Sequence, residues 1–263
     1  MRRVSLALFA TGYVLAFAAG DLDVRALGAI ALLVAAGWAV RPAHAQPLRI
    51  AGHVLFILLT IGCMQHLLPG FFNTRVFGPA PVTPDGLPYS LWLNLDKPLI
   101  GIWVMCAIPW VEEHKPVWTW LRTGLIACAA VALTCLVLAW GASFVTWEPK
   151  VPSIWLLWCL DNLLLVTFAE EALFRGYAQS GLTRVLGGTE IGDWLALVLA
   201  TLLFGMAHAG GGAAYMLFAT IAGAGYGIAY RSGGLQAARL AHFGVNALHF
   251  FLFTYPMLAT ARD

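Results

Sequence analysis

Ile154-Trp155-Leu156-Leu157-Trp158-Cys159-Leu160-Asp161-Asn162-Leu163-Leu164-Leu165-Val166-Thr167-Phe168-Ala169-Glu170-Glu171-Ala172-Leu173-Phe174-Arg175-Gly176-Tyr177 is the stretch that decides how this chain folds. It runs on to Gly187 without a proline, too long for a strand and apolar on almost every side, so it reads as one long helix over 154–187. A helix that is apolar all round lies in the core of a large protein or in a bilayer. Two adjacent acids inside it need separate explanations, because ionisable groups at membrane depth are costly unless paired or functional. On a helix Glu171 and Arg175 stand four apart and face each other, whereas Glu170 points about 100° away and lacks that partner.

The rest of the chain places this helix in lipid. Of 263 residues 60% are hydrophobic and 11% charged, where a soluble domain carries about 25% charged residues; the mean hydropathy is +0.80. Those values exclude a soluble globular enzyme and a disordered chain. Fifteen Lys and Arg against thirteen Asp and Glu, a net charge of +2, exclude a nucleic-acid binder that works through a basic face. With roughly 20 mostly apolar residues needed per crossing, candidate spans fall near 4–20, 25–40, 50–68, 98–111, 121–145, 154–187, 193–208, 213–230 and 236–256. The runs are continuously apolar and Leu/Ala-rich, with none of the period-two alternation of a β-barrel. The expected fold is an all-α polytopic integral membrane helical bundle of about nine transmembrane helices, within a range of eight to ten.

Arg2 and Arg3 ahead of an apolar stretch fit an uncleaved first helix better than a signal peptide, since further spans follow. An inside N-terminus puts Arg2, Arg3, Arg41, Arg49, Lys115, Arg122, Arg175, Arg184, Arg231 and Arg239 on the cytoplasmic side and Arg25, Arg75, Lys97, Lys150 and Arg262 outside. The positive-inside rule therefore predicts a cytoplasmic N-terminus and an external C-terminus. The Pro- and Gly-rich stretch 70–97 reads as an external connecting loop. Cys63, Cys106, Cys128, Cys135 and Cys159 lie in apolar runs without CxxC spacing and read as small buried hydrophobes. Trp92, Trp118, Trp120, Trp147 and Trp194 sit near span ends, as interfacial anchors do. Two parts are expected: amino-terminal membrane helices over 1–150 and a core over 151–263 that holds the chemistry.

Beyond the turn at 187–193 the next helix carries Phe204-Gly205-Met206-Ala207-His208. If the two helices are antiparallel, Glu170 lies about 25 Å before the turn and His208 about 22 Å after it, at about 1.5 Å per residue, so the two can meet. In the last span His242, Asn246 and His249 share one face at spacings of four and seven. Lipid offers such a stripe no partner, so it faces protein or a wet cavity. Glu170, His208, His242 and Asn246 can thus surround one pocket inside the bilayer.

Glu170-Glu171-x-x-x-Arg175, Phe204-x-x-x-His208 and His242-x-x-x-Asn246, in this order on successive apolar helices, resemble the three motifs of the CPBP family, the CAAX-processing and bacteriocin-processing (Abi) membrane proteases. The resemblance covers roughly 154–256 and does not reach the amino-terminal half. It implies an intramembrane endopeptidase, a hydrolase in which Glu170 and His208 activate a water that attacks the scissile carbonyl of a membrane-associated protein or peptide. The residue chemistry agrees: a buried carboxyl beside an imidazole makes a general base, and His242 and Asn246 offer N–H donors to a developing oxyanion. Glu171 and Arg175, with Phe204, are expected to brace the site from behind it.

Two other readings stand beside this one. In the first, Glu170, His208 and His242 are zinc ligands of a metalloprotease; HExxH is absent, and the preferred mechanism needs no cofactor. In the second, the chain is a non-enzymatic transporter, immunity protein or scaffold whose polar stripe joins helices. It lacks the paired interruptions of an inverted-repeat transporter, since only Gly210-Gly211-Gly212 breaks the pattern. His249 reads as a satisfied interior histidine and Asp161 as a solvated residue near the outer helix end. His44, His53, His66 and His114 receive no role.

Overall fold

A computed structural model of the chain describes residues 2–111 and 115–262, with side chains from 6 to 111 and 115 to 261; His114 lies outside the described residues. Among the described residues ten α-helices carry most of the fold. They cluster into two units, one of residues up to Val76 with Trp92–Pro109, the other of Phe77–Leu91 with Trp110 onward.

The first unit holds α1 (Arg2–Ala19), α2 (Ala26–Ala39), α3 (Gln46–Met64) and α4 (Pro98–Ala107). Pro47 and Pro98 occupy the first turns of α3 and α4, where a missing N–H costs nothing. The rings of Phe56 and Trp103 stack 3.6 Å apart, and the Trp103 indole N–H donates to the Leu33 carbonyl at 2.9 Å. Gly52 makes the crossing of α2 and α3 possible, for a Cβ there would lie 2.8 Å from Ala39. His66, which the sequence left without a role, meets the buried Asp96 carboxylate at 2.9 Å.

The second unit is built on α10 (Ala213–Leu252), flanked by α5 (Val117–Gly141) and α9 (Glu190–Ala207). Small residues let these helices approach: Gly225 abuts Val131, Gly244 abuts Cys128, and Gly124 abuts Leu240. Such a seam suits helices in lipid, where close van der Waals packing replaces the hydrophobic drive between them. The opposite side of α5 carries exposed Leu125, Ile126, Leu133 and Val137, the pattern of a lipid-facing surface. Straight, forty helical residues would span about 60 Å, twice a hydrocarbon core. Gly234, at φ 76°, breaks α10 between the two spans expected there.

Among the described residues four helices, α3, α5, α9 and α10, are long and apolar enough to cross a membrane, against the nine expected. The two spans expected within α10 lie on either side of its break at Gly234 and count as one long helix here. Two others are too short for a hydrocarbon core of about 30 Å: α2 has 14 residues and α4 has 10, about 21 and 15 Å at 1.5 Å per residue.

The stretch 154–187 is helical but not uniform. It comprises α6 (Trp155–Asp161), a π turn over Asn162–Val166, α7 (Thr167–Glu171), a second π turn over Ala172–Gln179 and α8 (Ser180–Val185). Carbonyls freed by the wide turns find side chains: Leu163 O accepts from Thr167 Oγ1 and from Arg239, and Arg175 O accepts from Ser180 Oγ.

The 70–97 stretch is not plain loop. It forms a hairpin of β1 (Thr74–Pro81) and β2 (Pro88–Leu93). The hairpin tip pairs with the segment after α10: Leu87 N–H donates to Met257 O and Ala259 N–H to Asp85 O. The segment before α6 also closes on α10, with Glu148 and Lys150 N–H donating to Leu252 and Phe251 O at 2.8 Å each. These bonds satisfy carbonyls that a helix end leaves open.

All five cysteines are free. Cys63 and Cys135 are buried as expected, but Cys106 is exposed and Cys128 and Cys159 are half-buried.

Candidate active site

Each acid of the Glu170-Glu171 pair goes its own way. Glu171 is fully buried, and Arg175 Nε donates to its Oε2 at 3.1 Å, as the four-residue spacing predicts. Its other oxygen, Oε1, lies 2.8 Å from His242 Nδ1. Reading Glu171 as a helix brace therefore misses half its work, because it also fixes the imidazole of another helix. Sequence gave no sign of that contact, which joins residues 71 apart. Arg175 keeps Nη1 and Nη2 without hydrogen-bond partners and lies 5.2 Å from the Phe204 ring, so the aromatic face supplies part of what water would.

Glu170 turns toward α9. Its Oε2 lies 3.9 Å from His208 Nε2, and both side chains keep some exposure, 14% and 19%. That separation is too long for a hydrogen bond. His208 is oriented from its other side, where Nδ1 sits 2.8 Å from Phe204 O. A carbonyl only accepts, so Nδ1 carries a proton and Nε2 is the ring nitrogen turned toward Glu170. By the same logic the Glu171 carboxylate holds the proton of His242 on Nδ1. His242 Nε2 can then donate only when both ring nitrogens carry protons.

Asn246 Nδ2 donates to Asn162 Oδ1 at 3.3 Å, leaving one amide N–H for other use. Asn162 was not singled out in sequence, and the first π turn explains its place. On a straight α-helix each four-residue step drifts round by about 40°. The π turn winds less per residue, and Asp161, Asn162, Val166 and Glu170 all line one cavity. Asp161 is buried rather than solvated.

That cavity has a volume of about 350 Å³ and is also lined by Phe204, His208, His242 and Asn246. The sequence-predicted residues thus converge, apart from Glu171 and Arg175, which stand behind His242. Tyr226, buried, stacks on the His242 ring with centroids 4.6 Å apart. Tyr89 of the hairpin lines the cavity, and burial pushes its phenol well above the ordinary value, so it stays protonated. His249 lines the cavity too, with Nε2 3.2 Å from Thr254 O, in keeping with a satisfied interior histidine. Among the described residues no three His, Cys, Asp or Glu side chains come together closely enough to hold a metal ion.

No curated protein and no solved structure matches the chain. Residues 152–248, which contain all three motifs and most of the polar groups of the cavity, match the family described as Rce1-like, type II CAAX prenyl endopeptidase Rce1-like, so over this stretch the chain is similar to the CAAX-processing proteases its motifs resemble.

Proposed function

We propose that this protein is an intramembrane endopeptidase that hydrolyses a peptide bond of a membrane-associated protein. The observation that carries the reading is the 3.9 Å gap between Glu170 and His208 inside a cavity shared with His242 and Asn246. One water oxygen can stand about 2.8 Å from both groups across that gap. With His208 Nε2 and the Glu170 carboxylate turned to it, the water can lose a proton as it attacks the scissile carbonyl. His242, when its Nε2 carries a proton, and the free N–H of Asn246 are the donors for the oxyanion that follows. Glu171 holds the His242 ring in place, and Glu170, carrying the water's proton, delivers it to the leaving amine.

Within this proposal the N-terminus is cytoplasmic and the C-terminus external. The test compares membrane proteomes of cells making wild type or Glu170→Gln: a protein that accumulates uncut only in the mutant supports the reading. Indistinguishable proteomes would move the assignment to a non-enzymatic membrane protein.

A second reading, a zinc protease, has one observation in its favour. His208 and His242 each give Nδ1 to an oxygen acceptor and keep Nε2 open, as metal-bound histidines usually do. Glu170, His208 and His242 do not close on a common point, however, and the proposed steps need only side chains and water. Elemental analysis of purified protein separates the two readings: one zinc per chain, lost in His242→Ala, would favour the metal.

A further inference from the structure

A second cavity, of about 330 Å³, lies where α8 meets α9 and α10, lined by Trp110, Gln179, Ser180, Thr183, Arg184, Asp193, Tyr230 and Arg231. Arg184 stands 14 residues beyond Glu170 on the same helical run, about 20 Å along it. The cavity is therefore distinct from the one that holds Glu170.

Its polar groups are arranged but unfulfilled. Arg184 stacks 5.0 Å over Trp110 and Arg231 4.4 Å over Trp194, which holds both guanidinium planes while leaving their N–H edges free to bind. Arg231 approaches Asp193 only to 3.6 Å, beyond hydrogen-bond reach. Three buried atoms lack partners: the donor Arg231 Nη1 and the acceptors Asp193 Oδ1 and Gln179 Oε1. Gln179 Nε2 donates to Gly227 O at 3.2 Å, which fixes Oε1 as the open end. Unfilled buried polar atoms cost free energy, and here they ask for two things at once. The arginines ask for an anion, and the two acceptors ask for a cationic or hydroxylic donor beside it.

We propose that this cavity binds a phosphate ester that carries its own hydrogen-bond donor, the chemistry of a phosphoethanolamine or phosphoglycerol group. The phosphate sits on Arg184 and Arg231, and the ammonium or hydroxyl sits on Asp193 and Gln179. Paired tryptophans beside the arginines match the headgroup level of a bilayer, so the group arrives either on a lipid or as a soluble ester.

The test is native mass spectrometry of the intact protein from detergent, titrated with phosphatidylethanolamine, phosphatidylglycerol, phosphatidylcholine or soluble glycerophosphoethanolamine. Retention of phosphatidylethanolamine or phosphatidylglycerol over phosphatidylcholine supports a lipid headgroup, and equal retention of the soluble ester supports a free ligand. Arg184→Gln, an exposed position that folding tolerates, and Arg231→Gln should each weaken retention by about tenfold or more, the loss of a charged hydrogen bond. Asp193→Asn should erase the preference over phosphatidylcholine. Equal binding of phosphatidylcholine, or retention unchanged in both arginine variants, overturns the proposal.

Discussion

On the proposed mechanism Glu170→Gln keeps the shape of the side chain and removes the base, so turnover should fall to background while the thermal midpoint in detergent stays near wild type. Glu171→Ala should behave differently. It strips Arg175 and His242 of a shared partner at a fully buried position, a loss worth about 3–5 kcal/mol, and thermal melts should show it alongside lost activity. If Asn246 is an oxyanion donor as proposed, Asn246→Ala should lower kcat by about 10². At this scale the four-residue spacing made the Glu171–Arg175 pair and the solitary Glu170 legible. The contacts of Glu171 with His242 and of Asn162 with Asn246 were not, because they join residues 71 and 84 apart and no local period encodes them.

Between residues and the whole lie the helices, and two of their irregularities shape the site. The π turn over Asn162–Val166 keeps Asp161 and Asn162 on the cavity side of a helix that would otherwise carry them round. Deleting Leu164 should return the segment to α spacing and misplace Asn162. A shift of about 1 Å can cost 10² in rate, so assays should find a folded but slow enzyme. The seam of α10 is equally exacting: Gly225→Leu would drive a side chain into Val131, and overpacking of this kind costs about 1–3 kcal/mol, readable as a lower melting temperature. Helix 154–187 was legible from its apolar run, and the break in α10 from the gap between the spans expected at 213–230 and 236–256. The π turns were not, since one extra residue per turn leaves no mark in composition.

For the molecule as a whole, apolar content alone pointed to helices in lipid, and the exposed leucines of α5 and α9 agree. The number of crossings was harder to read, because hydropathy measures how apolar a stretch is and not how much of it stays helical. The hairpin over 74–93 escaped notice because its prolines and glycines argue for turns, and its tip bonds to a segment about 170 residues away, near residue 257. The amino-terminal unit carries none of the three motifs, yet it buries Asp96 against His66. Asp96→Asn should leave proteolytic activity unchanged and lower stability, which a melt paired with an activity assay would separate.

The stretch from Thr146 to Lys150 has no helical residue of its own, yet its amides close the last carbonyls of α10, while Thr254 N–H donates back to Thr146 O. In deuterium exchange such a stretch keeps time with the helix it seals rather than with the surface it crosses. The Glu148 and Lys150 amides should retain their protons as long as the end of α10 does, and their release would announce its fraying.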